Sequence, residues 1–499
     1  MDDGQEAVLA MYSRECSAEL LGRLVGSNCF VERPLAPEVI EAAERESELL
    51  YITAPELPDI EIVVDYYVRL TAKSEDAIAR IKKNIVVLAL DNSEPLWLSQ
   101  KLVGEAAKQE RLFIAEWVSE RHKSGKKVVL HTFEPSEMTE QIAHELRLQP
   151  DQASSRTIEI GSKYSAKRIF RACGIRTPTS TKECHSLQDL ASEIATLLGQ
   201  EADSWKVLLK LSSTLYGAGQ GNALVDMRAL IDKYCGELDG ARVLGYLNEG
   251  NVDVVDKKLG WKGFVQEMSR AGVIAERYVE AKHKSSPSAQ GRVTKDGSVV
   301  LTSIHEQRFA ANEQTYIGSF YPVRQDYRKR IEHLFERIAH KAFDEGHVGP
   351  ISVDFLCVRA ASTAEWEVLP IEINNRLTGT AHSFRIVTSL LTQDGRTGFC
   401  VSGEPRVYLA SDAIYKPEYV GLRPAEVIGA IAASEIHYND DNKKGVILYM
   451  LSGLAFGKCG AVAIGSSERD CTIMQEGIYK ILDDLAAAKA KGMGRKGLR

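Results

Sequence analysis

Two acids stand inside β-branched, apolar runs, in Ser352-Val353-Asp354-Phe355 and Ile371-Glu372-Ile373-Asn374. The period-two geometry of a strand fixes which face each acid occupies, and a carboxylate in such a run is costly unless a cation balances it. Asp354 and Glu372, with the side-chain carbonyl of Asn374, form a set of hard oxygen donors that suits Mg²⁺ shared between protein and phosphates. Arg376, two residues beyond Asn374, carries a guanidinium suited to a phosphoryl group in transfer. The plainer alternative is that the two acids face solvent or pair with Lys or Arg.

A second group lies upstream. Lys210 ends the apolar run Val207-Leu208-Leu209 just before Gly217-x-Gly219-x-Gly221. Glycines let backbone amides converge on phosphate oxygens, and an ammonium beside them adds the charge that a nucleotide needs. The glycines alone are weak: the last position of a dinucleotide fingerprint would fall at Asn222, and a simple hairpin turn fits equally well. Other patterns fail on spacing. His305-Glu306 and His144-Glu145 lack the second histidine of a zinc-binding helix, with Phe309 and Leu148 in its place. Gly457-Lys458 has Ser452 and Cys459 where a P-loop needs Gly and Ser/Thr, so it reads as a turn.

The elements that must position these residues can be read coarsely. In the first 150 residues the runs Ile60 to Val64, Ile85 to Leu90 and Lys127 to Leu130 read as strands alternating with helical stretches such as Leu112 to Arg121, a βαβ pattern. Gly161 to Ala172 reads as an amphipathic helix capped by Ser162 and stopped by Gly174 and Pro178. A strand at Val207 to Leu211, the glycine turn, a helix, a break at Ser285 to Ser288 and strands near Gly291 to Val293 and Val299 to Ile304 follow. The helix Tyr327 to Gly346 leads to the strands Ile351 to Val358 and Glu367 to Asn374. The expected organisation is an α/β and α+β multidomain chain: an N-terminal α/β domain over 1–155, a central region over 156–400 and a small C-terminal α/β domain over 401–499 with a basic tail.

Composition narrows the function classes. The chain has 499 residues, 44% hydrophobic and 26% charged, the profile of a folded globular protein. Its 62 Lys and Arg against 69 Asp and Glu leave a formal charge of −7, which argues against a nucleic-acid partner. The nine cysteines show no C-x-x-C pair, as expected of reduced thiols in the cytoplasm. No apolar run approaches a membrane span.

The order Lys163, Lys210, glycine-rich lid, Glu276-Arg277-Tyr278-Val279, Asp354 and Glu372-x-Asn374-x-Arg376 resembles the ATP-grasp fold. Over nearly the whole chain the sequence is similar to the pheganomycin-type peptide ligase family, with its pre-ATP-grasp N-terminal domain. The supporting text is Val64-Asp65-Tyr66-Tyr67, Pro95 to Leu102, Gly219-Gln220-Gly221-Asn222-Ala223, Ser286-Pro287-Ser288-Ala289-Gln290 and Glu372 to Gly379. Leu215-Tyr216 in the lid and the stretch from His305 to Gly318 depart from the family, which bears on substrate identity.

The resemblance implies an ADP-forming ligase that converts a carboxylate to an acyl phosphate and passes it to an amine. It places Lys163 and Lys210 on the phosphates and the Gly217, Gly219 and Gly221 backbone over them. Glu276 and the main chain of Tyr278 and Val279 would receive adenine, with Ser286 and Ser288 near the nucleotide or substrate. Asp354, Glu372 and Asn374 would hold Mg²⁺, with Mn²⁺ as the alternative metal. Arg376 would stabilise the transferring phosphoryl group and the tetrahedral intermediate, Lys210 would assist, and Arg292 would meet the acid substrate. The implied partners are a small-molecule carboxylate and an amine, an amino acid or peptide, with no nucleic acid and no membrane, and a homodimer left open. The competing classes are a phosphotransferase on the same fold and a non-catalytic ATP-binding protein.

Overall fold

Residues 6–16, 21–22, 29–148, 150, 154–200, 205–213, 219–312, 314–360, 365–394 and 398–496 are described in a computed structural model. The chain separates into two compact units, one of Met1–Ser155, Gly318–Pro322 and Arg376–Arg499, the other of Arg156–Ile317 and Val323–Asn375.

The first unit opens with a four-stranded parallel sheet in the order Ile85–Ala89, Glu48–Thr53, Glu6–Met11, Lys127–Thr132. Helices cover both faces, as all-parallel sheets require. On one side Leu9, Leu50 and Leu130 pack with Ile114, Trp117 and Ile142; on the other Leu49 and Tyr51 pack with Val39, Ile40 and Tyr67. The run Ile60 to Val64, expected as a strand, is the start of the helix Ile60–Arg69. Its apolar stretch continues into Tyr66-Tyr67-Val68, and Val63, Val64, Tyr67 and Val68 form a helical buried stripe. An antiparallel group completes this unit: Glu404–Tyr415 pairs with Lys458–Gly465, which pairs with Gly445–Tyr449. Gly457, at φ 73°, makes the turn into Lys458.

The second unit contains two antiparallel sheets, each apolar on one face. In the smaller, the order is Asp253–Val254, Asn222–Asp226, Lys206–Leu211, Val273–Arg277. Val207, Leu209, Leu211, Val273 and Ala275 face a core with Leu190, Ile194, Val243 and Phe264. In the larger, His283–Ser285 and Pro287–Val293 lie along Gly349–Arg359, which pairs on its other edge with Glu367–Asn374; Val299–Phe309 pairs with Pro287–Val293. Ala289, Val293, Ile351, Val353, Phe355 and Ile373 pack on Tyr327, Ile331, Phe335 and Ile338 of the helix Gln325–Asp344. Strand alternation then sends the intervening polar residues to the opposite face.

The helix Lys163–Ala172 buries Ala166, Ile169 and Phe170 in that second core. Ser162 caps it, its Oγ accepting from the Ser165 amide at 3.2 Å; such a cap contributes about 1 kcal/mol.

Candidate functional site

In the smaller sheet of the second unit, Lys210 sits opposite Ile274, and Glu276 opposite Leu208, so the two charged residues share the face turned from the core. Lys210 Nζ donates to Glu276 Oε1 at 2.8 Å. The other carboxylate oxygen, Oε2, makes an ion pair with Lys167, one helical turn beyond Lys163. Lys167 is 1% exposed, and its ammonium also donates to Thr177 Oγ1 at 2.8 Å. Although burial raises the carboxyl pKa of Glu276, the two neighbouring ammoniums outweigh it and hold the carboxyl below its ordinary value. Burial pushes Lys167 down to about 8, against the pull of Glu276.

At the end of this strand the amide of Tyr278 donates to the Lys206 carbonyl at 3.1 Å, and Val279 is half-buried. A cavity of about 510 Å³ opens here, lined by Lys206, Tyr278, Glu280, Ala281, Lys282 and Lys284. Lys284 Nζ lies 4.5 Å from the Tyr278 ring centroid, within range for a cation–π contact.

Of the glycine turn, Gly219 and Gly221 are described; Gly217, Leu215 and Tyr216 lie outside the described residues. Gly219 has φ 78°, and a Cβ there would stand 2.3 Å from the Gln314 carbonyl oxygen, so both conformation and space demand glycine. The Gly221 carbonyl accepts from the Leu211 amide at 2.9 Å, closing the turn onto the strand that carries Lys210.

The larger sheet gathers the acids. Asp354 is directly opposite Glu372, and Ser352 opposite Asn374, so both carboxylates and the amide share one face. Asn374 Nδ2 donates to Asp354 Oδ2 at 3.3 Å, and Glu372 pairs with Lys163 Nζ. Ser288 is opposite Asp354 on the neighbouring strand, and Gln290 and Arg292 follow on the same face. Gln290 ties this face together: its amide donates to Ser288 Oγ at 2.7 Å, while its carbonyl receives Ser303 Oγ at 3.2 Å and lies 2.9 Å from His305 Nδ1. Arg292 is half-buried, opposite Pro350. The Ser286 carbonyl accepts from the Gln307 amide at 3.2 Å, at the break between two strands.

The donor set fits a magnesium ion. It has oxygen ligands only, on adjacent strands, and too few to enclose a cation without phosphate or water, which is the usual Mg²⁺ arrangement. Among the described residues no group of three or more His, Cys, Asp and Glu forms a metal cage.

Arg376 belongs to the first unit. Its Nε is 3.5 Å from Glu134 Oε2, and its guanidinium lies 5.8 Å from the Phe133 ring centroid. Arg14 shares the same glutamate and the same ring. Sequence reasoning gave no role to Lys167, Arg14 or Glu134. The i, i+4 spacing of Lys163 and Lys167 on an otherwise buried helix face was the one available signal for the first; Arg14 and Glu134 are far apart in sequence and carry none.

Known proteins are similar to this chain in sequence and in fold. An ATP-grasp family model, described as IQCH-like, matches residues 245–395. The ADP complex of an N5-carboxyaminoimidazole ribonucleotide synthetase aligns over 96% of this chain and 97% of its own, with TM-score 0.52 and 12% identity. The chain is similar in fold to that synthetase. The corresponding synthase of Aspergillus clavatus, solved with ATP, aligns over 97% of this chain and 100% of its own at TM-score 0.50 and 14% identity. By sequence, an L-propargylglycine–L-glutamate ligase of Streptantibioticus cattleyicolor is 25% identical over 412 residues, 81% of this chain and 79% of that protein. Among the described residues no helix is long and apolar enough to cross a membrane.

Proposed function

We propose that this chain is an ADP-forming, ATP-dependent carboxylate–amine ligase acting on small amino-acid or peptide substrates in the cytoplasm. The ATP half rests on one observation: Lys210 with Glu276, and Asp354 with Glu372 and Asn374, each gather on the polar face of a sheet whose other face is core. What favours a ligase over a phosphotransferase is the similarity to a ligase that joins two amino acids, extending over 81% of the chain.

Lys163 and Lys210 contact the nucleotide phosphates, and the backbone at Gly217, Gly219 and Gly221 covers them. The main chain from Glu276 to Tyr278 and Val279, beside the open cavity, receives adenine, with Ser286 and Ser288 near the nucleotide or substrate. Asp354, Glu372 and Asn374 hold Mg²⁺, with Mn²⁺ as an alternative; the metal supplies charge neutralisation on the phosphates. Arg292 meets the acid substrate. A carboxylate oxygen of that substrate attacks the terminal phosphorus, the bond to the ADP oxygen breaks, and Arg376 stabilises the charge on the phosphoryl group. The amine nitrogen then attacks the acyl carbon, phosphate leaves with the bonding electrons, and the ammonium proton passes to solvent.

The test is product analysis with amino-acid panels. ADP and phosphate should appear together with an amide of the summed mass less water, and hydroxylamine in place of the amine should give a hydroxamate. AMP with pyrophosphate, or a phosphorylated alcohol without hydroxamate, would overturn the reading.

A further inference from the structure

The buried charges around Glu276 do not balance. Lys167 and Lys210, 1% and 6% exposed, share one carboxylate, itself 4% exposed. One carboxylate against two ammoniums leaves an excess of one positive charge in a poorly solvated place, where ionic interactions are strong. Only one of the two lysines stands on the strand that leads into the glycine turn. The other is anchored elsewhere: Lys167 donates to Thr177 Oγ1, and Thr177 donates in turn to the Pro370 carbonyl at 2.7 Å, on the strand that carries Glu372. Lys167 is thus fixed in place, whereas Lys210 has Glu276 as its partner.

That asymmetry has a consequence for an arriving anion. If Lys210 turned from Glu276 to a phosphate with no second lysine present, the carboxylate would remain buried without a partner, which is strongly unfavourable. We propose that Lys167 is a positioning residue for nucleotide phosphate binding: it keeps Glu276 paired and so releases Lys210 to the phosphates. This rests on the ATP reading above and adds to it a residue that contacts no phosphate. The charged groups facing Lys167 are Glu276 and Lys210 from the sheet and Arg171 from its own helix. Thr177 and Pro370 are uncharged, so the release depends on whether the Lys167 ammonium is protonated.

The experiment is calorimetric titration of the full chain with Mg²⁺ and the β,γ-imido analogue of ATP, at pH 7 and pH 9. The ammonium of Lys167, pushed down to about 8 by burial, is mostly charged at the first pH and mostly neutral at the second. The wild-type protein should therefore bind about ten-fold more weakly at pH 9. Lys167→Met should bind about ten-fold more weakly at pH 7 and lose that pH dependence, with an unchanged circular dichroism spectrum. Should Lys167→Met not fold, Thr177→Val, which keeps every charge but removes the anchor, should weaken binding by a smaller factor at pH 7. Wild-type affinity equal at the two pH values, or either folded variant binding as tightly as wild type at pH 7, overturns the role of Lys167. Failure of the wild-type protein to bind the analogue at both pH values overturns the ATP reading and this inference with it.

Discussion

The two sheets of the second unit are built by one rule and carry opposite chemistry. In each, alternate residues fill a core: Val207, Leu209 and Leu211 in one, Ile351, Val353 and Phe355 in the other. In each, the residues between them form a polar face. The smaller sheet puts Lys210 and Glu276 there, joined by Lys167 from the helix; the larger puts Asp354, Glu372 and Asn374 there, joined by Lys163 from the same helix. A four-residue step along one helix thus supplies a lysine to each face. Alternation decides where a polar face lies, while the residues placed on it decide the sign of its charge.

The sharpest way to break this comparison is to neutralise the acids. If Glu372 has the metal role proposed above, Glu372→Gln should lower ATP turnover by about three orders of magnitude, by removing a charge that would hold the metal. Nucleotide affinity measured without Mg²⁺ should change little. Turnover near wild type in a folded Glu372→Gln variant would remove the metal role from the acid face.

The lysine face should respond differently. If Lys210 meets the phosphates as proposed above, Lys210→Ala should reduce turnover by about two orders of magnitude and weaken nucleotide binding with or without Mg²⁺. Circular dichroism should be unchanged, because Glu276 keeps Lys167 as a partner. If binding falls only when Mg²⁺ is present, the two faces are not independent in the way their charges indicate.

How much of this was legible in the sequence follows from what each feature depends on. Asp354, Glu372 and Asn374 could be placed on strands because period-two alternation is local, and register later set them side by side. Ser162 could be read as a cap, and the Oγ hydrogen bond to Ser165 is present. Ile60 to Val64 could not be told from a strand by its apolar run alone; the buried stripe only becomes helical when Tyr67 and Val68 are included. The strands Glu6–Met11 and Glu48–Thr53 went unread although both are central to the parallel sheet, because continuous burial erases alternation. The pairing of Glu276 with Lys167 joins residues 109 positions apart, counted from their numbers. No local pattern encodes it.

A smaller effect is expected at the glycine turn beside the lysine face. Gly219→Ala meets both the strained φ of 78° and the Gln314 carbonyl oxygen, and should cost about 1–3 kcal/mol locally. Nucleotide affinity should drop by about ten-fold as the turn rearranges, a loss that calorimetry can measure. An unchanged affinity would separate the turn from the lysine that precedes it.

The last effect is on stability and leaves turnover alone. His347 stands between the helix Gln325–Asp344 and the strand Gly349–Arg359, with no exposed surface. Burial pushes its imidazole down to about 4, and the charge of Arg292 pushes the same way. Its unfolded value is about 6.5, so between those values the unfolded chain binds a proton that the folded chain does not. Stability therefore rises with pH in this window: the penalty is absent above about 6.5, grows as pH falls, and is complete below about 4. The full displacement corresponds to up to ~3 kcal/mol. Carboxylates titrate over part of the same range, so the informative measurement is a difference. His347→Leu should narrow the loss of urea-unfolding stability between pH 7 and pH 4 relative to wild type by no more than that amount, with ATP turnover at pH 7 retained. An equal loss in both proteins would show that His347 takes up its proton in the fold as readily as in the unfolded chain, and that burial between the helix and the strand does not exclude the charge.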